Sequence, residues 1–334
     1  MEDLVTPPSS AWSQRRVLIT GATGLVGSWL ARRLIDSGAY VVALVMDHDP
    51  QSELIQSGTI ARCHVVNGRL EDYDTVERAI NGHDVDTVFH LGAQTIVGTA
   101  LRLPRQTLEA NVRGTWNVLE ACRLLPNLVQ RVVVASSDKA YGSHSSLPYR
   151  EDAPLIGRGP YDVSKSCADL ISTSYAMTYG LPITIARCGN IFGGGDLNWS
   201  RIVPGVFRWL IRGEQPILRS DGTYLRDYIH VDDVVNAYLT LADRADDRQL
   251  SGAAFNFSNE TPVSVFEIYR AICHAAGKPD TEPVVLGKAD AEIKDQYLDA
   301  GRARTELGWR AAVTLEAGLE RTFPWYSRLL SSES

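Results

Sequence analysis

The chain has 334 residues, 44% hydrophobic and 22% charged, which excludes a disordered or collagen-like chain and fits a globular protein of enzyme size. Its net charge is −7 and no basic run exceeds a pair such as Arg15-Arg16, which argues against electrostatic capture of nucleic acid or of an anionic membrane. Five widely spaced cysteines without a C-x-x-C pair exclude a disulfide framework and a zinc knuckle, so no metal is expected.

The predicted elements alternate. Strands at 17–20, 40–46, 60–66, 87–91, 131–135 and 182–188 are interleaved with helices at 25–37, at 106–125 and from Tyr161 onward, with Gly38 and Gly180 at left-handed caps. Such alternation predicts an α/β fold, a Rossmann-type doubly wound parallel sheet. Past Cys188 the pattern loosens into a Gly-rich stretch, 189–196, which predicts a smaller, discontinuous C-terminal substrate lobe. The expected division is a dinucleotide-binding domain at 1–189, with 228–258 returning to it, and a substrate-binding lobe at 190–227 and 259–334. Residues 1–14 have no apolar core of a signal peptide, and the longest apolar run, 40–46, is too short to span a bilayer. A cytoplasmic location is the expectation.

Two motifs carry chemistry. Gly21-Ala22-Thr23-Gly24-Leu25-Val26-Gly27 follows a strand and opens a helix, the context in which glycines allow a tight turn and close approach of backbone to a pyrophosphate. Free N–H groups at Leu25 and Val26 would face the phosphates. Asp47, 20 residues beyond Gly27 at the end of the second strand, suits the ribose hydroxyls and repels a 2′-phosphate, which selects NAD over NADP. In Tyr161-Asp162-Val163-Ser164-Lys165 a phenol and an ammonium share a helix face, so that charge, helped by an oxidised nicotinamide, should favour the phenolate and make Tyr161 a base. The preceding strand ends in Ser136-Ser137-Asp138-Lys139, where ligands sit in such sheets. His90, at another strand end, is expected to satisfy backbone groups, and His230 to be core.

The glycine motif, Tyr161-x-x-x-Lys165 with Ser137 upstream, and Asn111 in Asn111-Val112-Arg113-Gly114-Thr115 resemble the extended short-chain dehydrogenase/reductase family, and within it the NAD-dependent nucleotide-sugar epimerases and dehydratases. Matches at 90–94, 226–233, 298–299 and 307–309 extend the resemblance over nearly the whole chain. It implies that Tyr161 takes the proton of a sugar 4-hydroxyl, Ser137 hydrogen-bonds that oxygen, Lys165 holds the nicotinamide ribose, and C4 is oxidised to a ketone. The cofactor contacts implied are Gly21, Gly24, Leu25, Val26, Gly27, Asp47, Arg69, Leu70, Leu91, Ala93, Asn111, Tyr161 and Lys165. Gln94, Thr95, Asn190, Arg201 and Arg226 are implied for the nucleotide-diphosphate sugar. A homodimer through a four-helix interface is also implied.

A 4,6-dehydratase needs an additional acid and base beside the triad, whereas a 4-epimerase does not. Asp138-Lys139 is similar to the pair in CDP-glucose 4,6-dehydratases, so dehydration is the first expectation, with Asp138 as acid toward O6 and Lys139 as base or base-orienting group at C5. The alternative is a 4-epimerase of the UDP-glucose or UDP-glucuronate type. Gly98 and Arg226-Asp227-Tyr228 depart from the dehydratase pattern, and Arg69 stands where relatives often carry an aspartate; it suits stacking on the adenine.

Overall fold

The structure is a computed structural model and describes residues 12–288 and 293–331. Six strands, β1 (Arg16–Thr20), β2 (Tyr40–Val45), β3 (His64–Asn67), β4 (Thr87–His90), β5 (Arg131–Ala135) and β6 (Ile183–Cys188), join strand Ala254–Phe257 in one sheet. The order runs Ala254–Phe257, β6, β5, β4, β1, β2, β3, and every pairing is parallel. The order reverses between β1 and β4, and the C-terminal strand ends at such a switch point are the usual ligand position in such sheets.

Both faces are covered, which is why the central strands read as unbroken apolar runs. Val17 and Ile19 point to the side packed by α1 (Leu25–Asp36), whereas Leu18 points to the side of helices Tyr73–Asn81 and Gly114–Leu124. In α1 the buried positions Gly27, Leu30, Ala31 and Leu34 recur at helical spacing, so one stripe meets the sheet. Helix Pro160–Tyr179 begins on a proline at its first position and ends on Gly180 at φ 70°.

Beyond β6, strand Asn190–Phe192 pairs with Tyr228–His230, and helix Val231–Asp243 packs on β5 and β6. Helices Ile202–Arg212, Val265–Ala275 and Leu315–Ser331 enclose a separate core around Phe207, Ile268, Leu319 and Tyr326. Each such fully buried side chain contributes about 1.5–3 kcal/mol. Two tryptophans stitch this core to the sheet domain: Trp325 Nε1 donates to Glu53 Oε2 at 2.5 Å, and Trp29 Nε1 to the Gly194 carbonyl at 2.7 Å.

Three expectations need correction. Residues 60–66 are not one strand: a 3₁₀ turn at Thr59–Arg62 precedes β3, because the left-handed Gly58 starts a turn there. The helix expected at 106–125 is interrupted by a π turn at Glu109–Arg113, between helices Pro104–Leu108 and Gly114–Leu124. Trp116 and Leu170 fall on the apolar stripes of their helices and so read as core from periodicity, yet they are 42% and 58% exposed.

Candidate active site

At the glycine turn, the backbone itself makes the case for a cofactor cradle. Gly21 has φ 70°, and a Cβ added at Gly27 would lie 2.2 Å from the Gly21 carbonyl oxygen, so no side chain fits between turn and helix. Gly24 is the N-cap of α1, and neither a capping side chain nor an acidic residue stands in the first turn. The N–H groups of Leu25 and Val26 therefore open onto an uncapped, electropositive helix end, which fits a pyrophosphate. Asp47 is exposed just past β2. Arg69 is exposed as well and lies 3.6 Å from Glu71, while the Leu70 carbonyl accepts from Asn117 Nδ2 at 2.9 Å.

Asn111 occupies the π turn, and the extra residue in that turn directs its amide inward. Its Oδ1 accepts from the Gln94 N–H at 2.7 Å, and its Nδ2 donates to the Gln94 carbonyl and to Ser164 Oγ at 3.0 and 2.9 Å. One side chain thereby fixes the segment Leu91, Ala93, Gln94 against helix Pro160–Tyr179, with Thr95 exposed beyond it. His90 is buried and bonds the Thr20 and Thr115 hydroxyls at 2.9 and 3.0 Å, rather than the backbone as expected. Burial, followed by the Lys165 charge, lowers it to about 3, so it is a neutral packing residue.

Helix Pro160–Tyr179 brings Tyr161 and Lys165 to the end of β5. Lys165 is buried, its Nζ donating to the Ala135 carbonyl at 2.8 Å, and burial lowers it to about 8. Tyr161 forms a hydrogen bond with Ser137, and burial pushes it up to about 12 against the pull of Arg201 and Ser137. Here the geometry corrects the simple electrostatic argument. Lys165 is spent on a backbone carbonyl, and the chain's own charges do not outweigh burial of the phenol.

Ser137 also donates to Asp138 Oδ1 at 3.0 Å and accepts from the Lys139 N–H at 3.2 Å, which caps the 3₁₀ turn Asp138–Tyr141. Asp138 is 3% exposed; burial raises its carboxyl, while Lys139, Ser137 and Arg226 pull the other way. The Lys139 Nζ donates to Gln296 Oε1. Gln296 lies on the short strand Asp295–Gln296, which pairs with Leu225–Arg226. Arg226 donates through Nη1 to the Leu225 and Lys294 carbonyls at 2.7 Å each, and through Nη2 to the Ile293 carbonyl. Asn190 Nδ2 reaches the Asp227 carbonyl at 3.3 Å, and Arg201 Nη1 reaches Asp196 at 3.2 Å.

Seven buried side-chain atoms lack a partner among the described residues, and four of them belong to this neighbourhood: Ser136 Oγ, Asp138 Oδ2, Asp227 Oδ1 and Gln296 Nε2. An orphaned buried polar atom costs about 1–3 kcal/mol, and such atoms concentrate where a ligand completes them. Sequence reasoning missed Gln296 and the burial of Asp227, which is 1% exposed and raised to about 7 chiefly by desolvation. Neither stands in a spacing pattern that could have marked it. A buried network behind the site was missed too. Arg187 forms a two-pronged pair with Asp169 at 2.8 and 2.9 Å and donates to Tyr141, whose hydroxyl donates to Asn256.

Comparison with known proteins agrees with this geometry. Residues 17–256 match the model of the NAD dependent epimerase/dehydratase family. A CDP-glucose 4,6-dehydratase of Salmonella typhimurium is 28% identical over 96% of this chain and 93% of its own. A UDP-glucose 4-epimerase of Mycolicibacterium smegmatis is 31% identical over 93% of this chain and 98% of its own. Among solved structures, the dTDP-glucose 4,6-dehydratase DesIV of Streptomyces venezuelae, with NAD bound, superimposes with a TM-score of 0.85 at 26% identity, covering 94% of this chain and 97% of that one. The chain therefore belongs to the NAD dependent epimerase/dehydratase family.

Proposed function

We propose that the protein is an NAD-dependent nucleotide-sugar 4,6-dehydratase. The observation that carries this reading is the buried Asp138 with the half-buried Lys139 next to it, beside Ser137 and Tyr161, a second proton-handling pair that epimerisation does not need. NAD+ would lie on Gly21, Gly24, Leu25, Val26 and Gly27, with Asp47 on the adenosine ribose and Arg69, Leu70, Leu91, Ala93 and Asn111 along it. When bound it accepts a hydride from C4 of the sugar, returns it at C6, and brings a positive charge beside the buried phenol.

Tyr161 takes the proton of the 4-hydroxyl while Ser137 steadies that oxygen, and Lys165, anchored on Ala135, orients the ribose hydroxyls. The resulting ketone acidifies C5–H. Lys139 takes the C5 proton, the C6–O bond breaks as C5=C6 forms, Asp138 delivers its proton to O6, which leaves as water, and Lys139 returns a proton to C5 as C6 takes up the hydride. The raised affinity of Asp138 for its proton suits it to be an acid rather than a carboxylate. Gln94 and Thr95 border the sugar. Asn190, Arg201 and Arg226 address the diphosphate, Arg226 through the Nε edge that its bonds to backbone carbonyls leave open.

A specific observation keeps 4-epimerisation as the second reading: the 31% identity to a UDP-glucose 4-epimerase. Incubation with CDP-, UDP-, dTDP- and GDP-sugars separates the two by mass spectrometry. Loss of one water from at least one substrate is expected, and an isomer of unchanged mass as the sole product would refute dehydration.

We further assign residues 190–227 and 259–334 to substrate binding and 1–189 with 228–258 to the cofactor. Trp116, Leu170 and Met177, 42%, 58% and 76% exposed on helices Gly114–Leu124 and Pro160–Tyr179, support a homodimer through those helices. Among the described residues no helix is long and apolar enough to cross a membrane, and the five cysteines are free. A reducing cytoplasm suits such a chain.

A further inference from the structure

We propose that Gln296 is a positioning residue for the water-loss step: its side-chain oxygen fixes the Lys139 amine beside Asp138, so that proton removal at C5 and protonation of O6 occur together. The inference rests on the dehydratase reading and adds to it a residue from the opposite lobe, 157 positions away in the chain.

Gln296 has no exposure to solvent, and its Oε1 accepts from Lys139 Nζ. Oε1 and Nε2 share one carbon, so the Nε2, which has no partner among the described residues, also lies beside the Lys139 amine. A buried amide with one half bonded and the other idle is expensive for a residue whose task is packing, and a methionine would fill the same space without that cost. The idle donor is explained if substrate oxygen completes it.

The choice of a neutral acceptor also matters chemically. The Asp138-Lys139 pair can hold its proton on the carboxyl or on the amine, and dehydration needs it on the carboxyl. Burial of Asp138 disfavours its charged form. An amide oxygen holds the amine in either form, whereas a carboxylate at the same position would keep it protonated.

The location links binding to chemistry. Strand Asp295–Gln296 is paired to Leu225–Arg226, and the Arg226 guanidinium grips the carbonyls of Ile293 and Lys294. The residue proposed to meet the diphosphate therefore also holds the strand that carries Gln296.

The test uses the full-length enzyme with NAD and whichever nucleotide sugar the wild type dehydrates, quenched at short times and read by mass. Gln296→Met is expected to accumulate the 4-keto sugar, lighter than substrate by two hydrogens, with formation of the water-loss product slowed at least tenfold relative to substrate consumption in the first turnover at saturating substrate. Gln296→Glu keeps the contact but adds a charge, and is expected to stall at the same point, which covers the case in which the methionine variant does not fold. A merely structural role would slow both phases together. The proposal is overturned if either folded variant loses water in step with 4-keto formation as the wild type does. Should the wild type lose no water from any substrate, the dehydratase reading falls and this assignment with it, a result visible before any variant is made.

Discussion

Tyr161 joins two opposing demands, since a phenol must be buried to meet a dry sugar and deprotonated to act as a base. Burial holds it at about 12 in the protein's own field, so its reactive form becomes more populated as pH rises. Tyr161→Phe should lower turnover by about 10²–10⁴-fold, the usual contribution of a general base, while NAD affinity measured by fluorescence titration stays unchanged. His90 supplies a stability test. Its folded-state value of about 3 lies below the ordinary 6.5, so the unfolded chain binds the extra proton and stability is lost as pH falls below 6.5. Thermal melts should show the wild type losing about 2 kcal/mol between neutrality and roughly pH 5, and His90→Asn should flatten that limb. At this scale the sequence was readable where chemistry sits at fixed spacing, as in Tyr161 and Lys165 one helical turn apart. Gln296 was hidden because its partner, Lys139, is far off in the chain and only tertiary pairing joins them.

Secondary elements place these side chains through a few backbone devices. The glycine turn before α1 is the tightest: with 2.2 Å from an added Cβ to the Gly21 oxygen, Gly27→Ala must push helix from strand. A loss of about 1–3 kcal/mol in denaturant titration and weaker NAD binding are expected together. The π turn at Glu109–Arg113 performs a similar service for Asn111, and periodicity alone read straight through it because the apolar stripe continues on either side. Likewise a helical stripe cannot distinguish a face packed within the chain from one that meets a second subunit, which is why Leu170 reads as core from periodicity. If helices Gly114–Leu124 and Pro160–Tyr179 form the homodimer interface, Leu170→Glu should give a monomer by light scattering; an unchanged dimer would place the interface elsewhere.

For the whole molecule, the parallel sheet was legible from strand-helix alternation and a smaller lobe from the loosened pattern past Cys188, whereas that lobe's own strands were not, because they are only two or three residues long and carry no period. Its attachment depends on a few buried polar contacts. Trp325→Phe keeps an aromatic ring but removes the pyrrole half of the indole with its donor to Glu53, which is 6% exposed, and should cost about 1–3 kcal/mol in thermal unfolding. The site lies where the two cores meet: Ser137, Asp138 and Tyr161 come from the sheet domain, and Gln296 and Arg226 from the smaller one. That convergence underlies the claim of dehydration, and the mass of the wild-type product formed from a nucleotide sugar in heavy water tests it most directly. The account predicts a product that has lost one water and carries one deuterium at C5; an isomer with no loss of mass and no deuterium on carbon would contradict it.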